Sequence, residues 1–143
     1  MNLSTAVKRT RVSDSVSAGT SEVNSAAVDM VGFDNIEFVI ALGPVVAGAV
    51  TLAKLQTSSD GTTWSDLTGT STTIADTASN QIVILDCLHV ARKYVRCVVT
   101  RGTQNAAIDS IVAQQYAARE EPVTHDTASV LSSSLFHAPE AAA

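Results

Sequence analysis

Asp60-Gly61, set between two apolar runs, constrains this chain more than any other feature of its sequence. Gly accepts the positive φ that a tight turn between strands requires, so Asp-Gly flanked by strand-like residues predicts a β-hairpin. Before the turn, Val50, Leu52 and Leu55 mark an apolar strand; after it, Trp64 and Leu67 resume an apolar face.

The rest of the chain follows the same punctuation. Val23 to Val31 suggests a first strand with a bulge, and Phe33-Asp34-Asn35 is turn-like. Ile36, Phe38, Ile40 and Leu42 then alternate along a central strand that Gly43-Pro44 is expected to stop, since Pro cannot donate to a ladder. A short edge strand is expected around Thr72 to Ala75, and Gln81 to Asp86 is an apolar run of buried-strand length. Leu88 to Arg92 has the length of a single helical or 3₁₀ turn carrying the chain across to the next strand. Lys93 to Arg101 is the cleanest strand, with Val95, Cys97 and Val99 on one face. After a turn at Gly102 to Asn105, Ala106 to Ala117 predicts a last long strand; a short helix over Ala113 to Glu121 is the competing local reading. Seven or eight short strands spaced by turn signals predict an all-β fold, an antiparallel sandwich or jelly roll. Residues 1–20 read as an N-terminal arm, 21–119 as the sandwich and 120–143 as an extended tail. The core is expected to contain Ile36, Phe38, Ile40, Leu52, Ile82, Ile84, Val95, Cys97 and Val99.

Composition agrees. The 143 residues are 45% apolar but only 4% aromatic, so Val, Ala, Ile and Leu must fill the core. Charged residues are 16%, below the roughly 25% of an ordinary domain, and Thr and Ser take their place. Such a surface suits a protein covered by neighbours, and equally a Thr/Ser-rich monomer. The net charge of -5 argues against coating nucleic acid, which calls for a basic stripe. No signal-peptide pattern opens the chain and no apolar run reaches membrane-spanning length. Cys87 and Cys97, taken as opposite arms of a hairpin turning near Val90, fall out of register for a disulfide and read as free thiols.

Chemistry-bearing constellations are sparse. His89, His125 and His137 show no metal-ligand spacing, there is no Cys-x-x-Cys, and no nucleophile elbow or phosphate loop occurs. No catalytic residue, cofactor or metal is expected. Asp60 is read as accepting N–H bonds in its own turn and Asp66 as a solvent-face residue. Asp86 is expected to form an ion pair with Arg92 or Arg96. Trp64 stands alone, as a core or rim anchor rather than one aromatic of a sugar-binding platform.

Ser58-Ser59-Asp60-Gly61-Thr62-Thr63-Trp64 together with Lys93-Tyr94-Val95-Arg96-Cys97-Val98-Val99 resembles strands of tailed-phage virion proteins. The nearest likeness is to β-sandwich capsid decoration, or cement, proteins, over roughly residues 30 to 117. The resemblance implies a non-enzymatic protein on the outer capsid surface, assembled in the host cytoplasm. It implies binding to the major capsid protein as a homo-oligomer, often a trimer, with no nucleic-acid or membrane partner. A tail, neck or fibre component is the rival within that class, and a carbohydrate-binding module the rival outside it. Within this reading, Lys8, Arg9 and Arg11 would meet acidic surface. Val130, Leu131, Leu135 and Phe136, too sparse in a polar tail to make a core, would each fill a pocket on a neighbour.

Overall fold

A computed structural model describes residues 2–139, and they form two antiparallel sheets packed face to face. One turn of helix, α1 (Leu3–Ala6), precedes the strands. The first sheet contains β1 (Lys8–Ser13), β2 (Val16–Gly19), β5 (Phe33–Val45), β9 (Ile82–Cys87) and β11 (Ala106–Ala118). Its order is β1-β11-β5-β9, with β2 lying on β11 beyond the end of β1. The second sheet contains β3 (Val23–Asn24), β4 (Val28–Asp29), β6 (Thr51–Ser58), β7 (Ser65–Asp66), β8 (Thr72–Ile74) and β10 (Tyr94–Thr100). There β10 and β6 pair at the centre; β3 and β4 lie in line along β10, and β7 and β8 along β6.

Alternation builds the core. Ile36, Phe38, Ile40 and Leu42 on β5 face Val95, Cys97 and Val99 on β10 and Ala53 and Leu55 on β6, with Ile108, Ile111 and Ala113 of β11 beside them. All are buried, so the cost of ordering these strands is offset by apolar area taken from water. The Asp60-Gly61 turn forms as its sequence dictates. Gly61 has φ +80, and Asp60 Oδ1 accepts the N–H groups of Thr62 and Thr63, each at 2.9 Å. The first apolar segment is interrupted at Ser25 to Ala27, between β3 and β4, where the sequence suggested a bulge.

Several expectations are corrected. Phe33 to Asn35 is strand, and β5 runs through Gly43-Pro44 to Val45. Pro44 survives in the sheet because it sits in a register shift, where Leu42 pairs with Ile108 and Val45 with Ala106, so no ladder N–H is needed from it. Leu88 to Arg92 makes no helical turn; His89 takes φ +55 and the Val90 N–H donates to the Asp34 carbonyl as the chain crosses between sheets. Consequently β9 and β10 are not a hairpin. Cys87 and Cys97 lie in different sheets and are free. Residues 113–118 are strand, not helix.

Ile82 and Ile84, expected in the core, are 59% and 54% exposed. The run they belong to is apolar on both faces, but β9 is an edge strand that buries only Leu85 fully, with Val83 and Cys87 partly covered. Leu52 is half-buried on the outer face of β6.

The termini differ most from expectation. Residues 8–13 and 16–19, expected in an arm, belong to the first sheet, where Lys8 to Arg11 pair with Gln115 to Val112. Only Val12 of this stretch is fully buried, with Ala6 and Val7 just before it, because an edge strand needs few apolar contacts, and that left its periodicity weak. The tail is also not wholly free. Residues 123–130 lie along the outer edge of β1, and the Val123 N–H donates to the Thr5 carbonyl at 2.8 Å. Residues 131–139 are exposed throughout. The final part of the expected tail, 140–143, lies outside the described residues.

Candidate docking surface

The strap of residues 123–130 is held by side chains rather than by a ladder. The backbone N–H of Arg9 donates to His125 Nδ1 at 3.3 Å, and that of Arg11 to Ser129 Oγ at 3.1 Å. Alternate backbone groups of an edge strand point away from its only neighbour, and here two of them are satisfied by the chain's own C-terminal segment. Asp126 shapes the strap, its carbonyl accepting from the N–H groups of Ser129 and Val130 and its Oδ1 from that of Ala128.

This arrangement gathers four of the seven residues expected to bind a partner. Arg9, Arg11, Val130 and Leu131 line one shallow depression, whose floor includes Val112 of β11. Lys8 lies in a neighbouring groove with Val31, Phe33, Arg119 and Val123. Leu135 and Phe136 lie beyond the depression on the exposed stretch, 56% and 82% exposed, and Leu131 is fully exposed. The ion pair of Arg11 with Asp14 (3.5 Å) is open to solvent, so it barely restrains the arginine.

The outward face of the first sheet continues from that depression. Register places Arg11, Val112, Val39 and Ile84 in one row across β1, β11, β5 and β9. Arg9, Gln114, Glu37 and Asp86 form the next row. The surface is therefore apolar in the middle, basic toward β1 and acidic toward β9. At the acidic end Glu37, Asp86 and Glu121 rim a pocket of roughly 430 Å³ closed on one side by Leu3, Ala6 and Val7. Asp86 does not pair with Arg92 or Arg96, as the sequence had suggested; it accepts a hydrogen bond from the Tyr116 hydroxyl. Burial and that bond push the Tyr116 phenol up to about 12, so at neutral pH it keeps its proton and its single donor is committed.

The opposite face, on the second sheet, is polar and internally satisfied. Asp66 accepts from Lys54 and Gln56, and Gln56 Oε1 accepts from Arg96 Nε at 2.9 Å. The Arg96 guanidinium lies 4.4 Å from the centroid of the Trp64 ring. One face of the only tryptophan is thus covered by a cation, which blocks sugar stacking on that face. Among the described residues no group of three or more His, Cys, Asp or Glu side chains is placed to hold a metal ion. Burial pushes the Cys97 thiol up to about 12, far from the thiolate a nucleophile needs.

Sequence reasoning missed the strap contacts of His125 and Ser129 and the whole outward face of the first sheet. A signal for the face was present, since Ile82 and Ile84 alternate with Val83 and Leu85 and so cannot all point into one core.

No protein-family model matches the chain, and no curated protein is similar to it. Among solved structures it is similar to one described as the PBSX exported protein XepA, with a TM-score of 0.54 and 14% identity. The superposition covers 99% of this chain and 45% of that one, so this chain spans less than half its neighbour's length. At that identity the likeness establishes the fold.

Proposed function

We propose that this chain is a non-enzymatic structural protein of a tailed-phage virion, one that decorates the outer surface of the head and braces contacts between major capsid subunits. The observation that carries this reading is the exposed stretch beyond the strap. Leu131, Leu135 and Phe136 stand in solvent with no core to join, yet the chain anchors this stretch at a fixed point beside Arg9, Arg11 and Val112. Anchoring limits where the segment can reach, so a neighbouring subunit meets apolar residues and two arginines at one place. Burying Leu135 and Phe136 is worth about 1.5–3 kcal/mol each in transfer terms, against the entropy of ordering the segment. That is weak for one copy and substantial over a lattice of copies.

Three further features support the reading. The surface is poor in charge and rich in Thr and Ser. The turn and strand motifs of residues 58–64 and 93–99 resemble those of virion sandwiches. The solved neighbour of the same fold is the one described as the PBSX exported protein XepA. The Arg96 guanidinium over one face of Trp64 counts against the carbohydrate-binding alternative.

The test is binding to heads of the encoding phage stripped of this protein. Truncation after Val130 keeps the strap in place and removes the exposed apolar stretch. The truncated chain should remain folded and bind stripped heads at least tenfold more weakly, roughly the value of one lost apolar anchor. Equal binding by the two forms would exclude the segment as a capsid contact.

A further inference from the structure

We propose that β9 is the edge through which two copies of this chain pair, strand antiparallel to strand, so that the first sheet continues unbroken into the second copy. The four sheet edges are treated unequally. Among the described residues, β3 with β4 and β7 with β8 give edges broken into pieces of two or three residues, too short to template a neighbour. The β1 edge is covered by the strap, with His125 and Ser129 on its N–H groups. In contrast β9 is six residues long, continuous, and hydrogen-bonded on one side alone, to β5.

Its sequence carries none of the devices that keep an edge single. There is no Pro and no Lys from Ile82 to Cys87, and the one charge, Asp86, is engaged by Tyr116. The outward side chains are Ile82, Ile84 and Asp86, and the two isoleucines, exposed by 59% and 54%, are continuous with Ala41 and Val39 on β5. Two large β-branched residues in water on an open edge form a cohesive strip that a second strand would cover.

The strand is complementary to itself, which selects a second copy as the occupant. In an antiparallel pair with Val83 on the two-fold axis, Ile82 lies opposite the second copy's Ile84, and Ile84 opposite its Ile82. That register overlaps Ile82 to Ile84 of the two strands and carries Asp86 past the end of the second copy's strand, to the turn at Asn80, so like charges do not face. An isologous contact of this kind closes at two chains and leaves no further edge for growth. The inference rests on the sheet alone and stands or falls separately from the capsid reading.

Sedimentation equilibrium of the full chain should give twice the chain mass. Ile84→Lys, which changes a solvent-exposed side chain and adds a charge to the edge, should give a single-chain mass with an unchanged far-ultraviolet spectrum. Amide exchange of the wild-type chain supplies a measurement independent of any variant. Protection at Ile82 and Ile84 should rise with protein concentration, while that at Ile36 and Phe38 stays constant. A wild-type chain that is single at every concentration overturns the proposal, as does a larger assembly that Ile84→Lys leaves intact. Protection of β9 that appears only when stripped heads are added also overturns it, and gives the edge to a strand of another protein.

Discussion

His125 Nδ1 accepts the backbone N–H of Arg9 at 3.3 Å while its Nε2 lies 3.1 Å from the Ser4 carbonyl. The first bond makes Nδ1 an acceptor, so the ring proton sits on Nε2 and donates to Ser4. One imidazole thereby ties the strap to both the end of α1 and the edge of β1.

His125→Ala removes both bonds. With about 0.5–1.5 kcal/mol for each, and partial rescue by water at this half-buried site, the loss in stability should be about 1 kcal/mol. The more diagnostic change is local. Amide exchange at Arg9 and Arg11 should accelerate in the variant while exchange at Ile36 and Phe38 is unchanged. Equal rates at Arg9 in both proteins would mean that the strap does not protect this edge.

The strap also shows where sequence reading stops. Strands such as Ile36 to Leu42 and Tyr94 to Thr100 were legible because both apolar periodicity and bounding turns survive in them. The strands β1 and β2 were not, since an edge strand with few buried residues is locally indistinguishable from a polar arm. Ile82 and Ile84 misled in the opposite direction, because a continuous apolar run reads as buried on both faces and nothing local reports that one face is open. The contacts of His125 and Ser129 are side chain to backbone over more than a hundred residues, and a backbone amide leaves no code in its own residue type. Of the expected docking residues, the cluster of Arg9, Arg11, Val130 and Leu131 could be listed from sequence but not placed together.

Asp60 links the hairpin to acid stability. Hydrogen bonds from the Thr63 and Thr62 backbone amides, then from the Ser58 hydroxyl, hold its carboxyl well below the usual carboxylate range. A carboxyl depressed on folding contributes stability above its unfolded value, near 3.9, and loses it as pH falls toward the folded value. The urea midpoint of the wild-type chain should therefore decline below about pH 4. Asp60→Ala should lower the midpoint at pH 7 and decline less steeply in acid. Parallel pH profiles for the two proteins would rule out this carboxylate as a contributor. Asp66, also held low by Gln56 and Lys54, adds to the slope that remains.

Gly102 is fixed by packing rather than by φ. A Cβ built there would fall 2.3 Å from the Val50 carbonyl oxygen, a backbone atom that cannot swing aside. Gly102→Ala must shift the segment entering β6 or the turn after β10, at about 1–3 kcal/mol. Thermal unfolding should show a clear drop in midpoint, whereas Gly69→Ala, with open space around its Cβ, carries only the strain of φ +86.

Arg101 closes the end of the sandwich without a counter-charge. Its Nε donates to the Ser21 carbonyl at 2.6 Å, and its Nη1 to the carbonyls of Ser17 and Ala106, both at 2.8 Å. Ser17 belongs to β2 in the first sheet, Ser21 precedes β3 in the second, and Ala106 opens β11, so one guanidinium spans the place where the chain changes sheets. Only 9% of the residue is exposed, and three carbonyls would lose their donor if it were removed. Lysine keeps the charge but cannot present a planar fork to three acceptors, so Arg101→Lys is not conservative here. With about 1.5–3 kcal/mol for a charged hydrogen bond and at least one bond lost, the variant should lose about 2 kcal/mol or more. Arg101→Met keeps the apolar stem and abandons all three carbonyls, so it should lose more than the lysine variant. If urea titration found methionine as stable as arginine, packing of the stem would explain this residue and the carbonyl clamp would not.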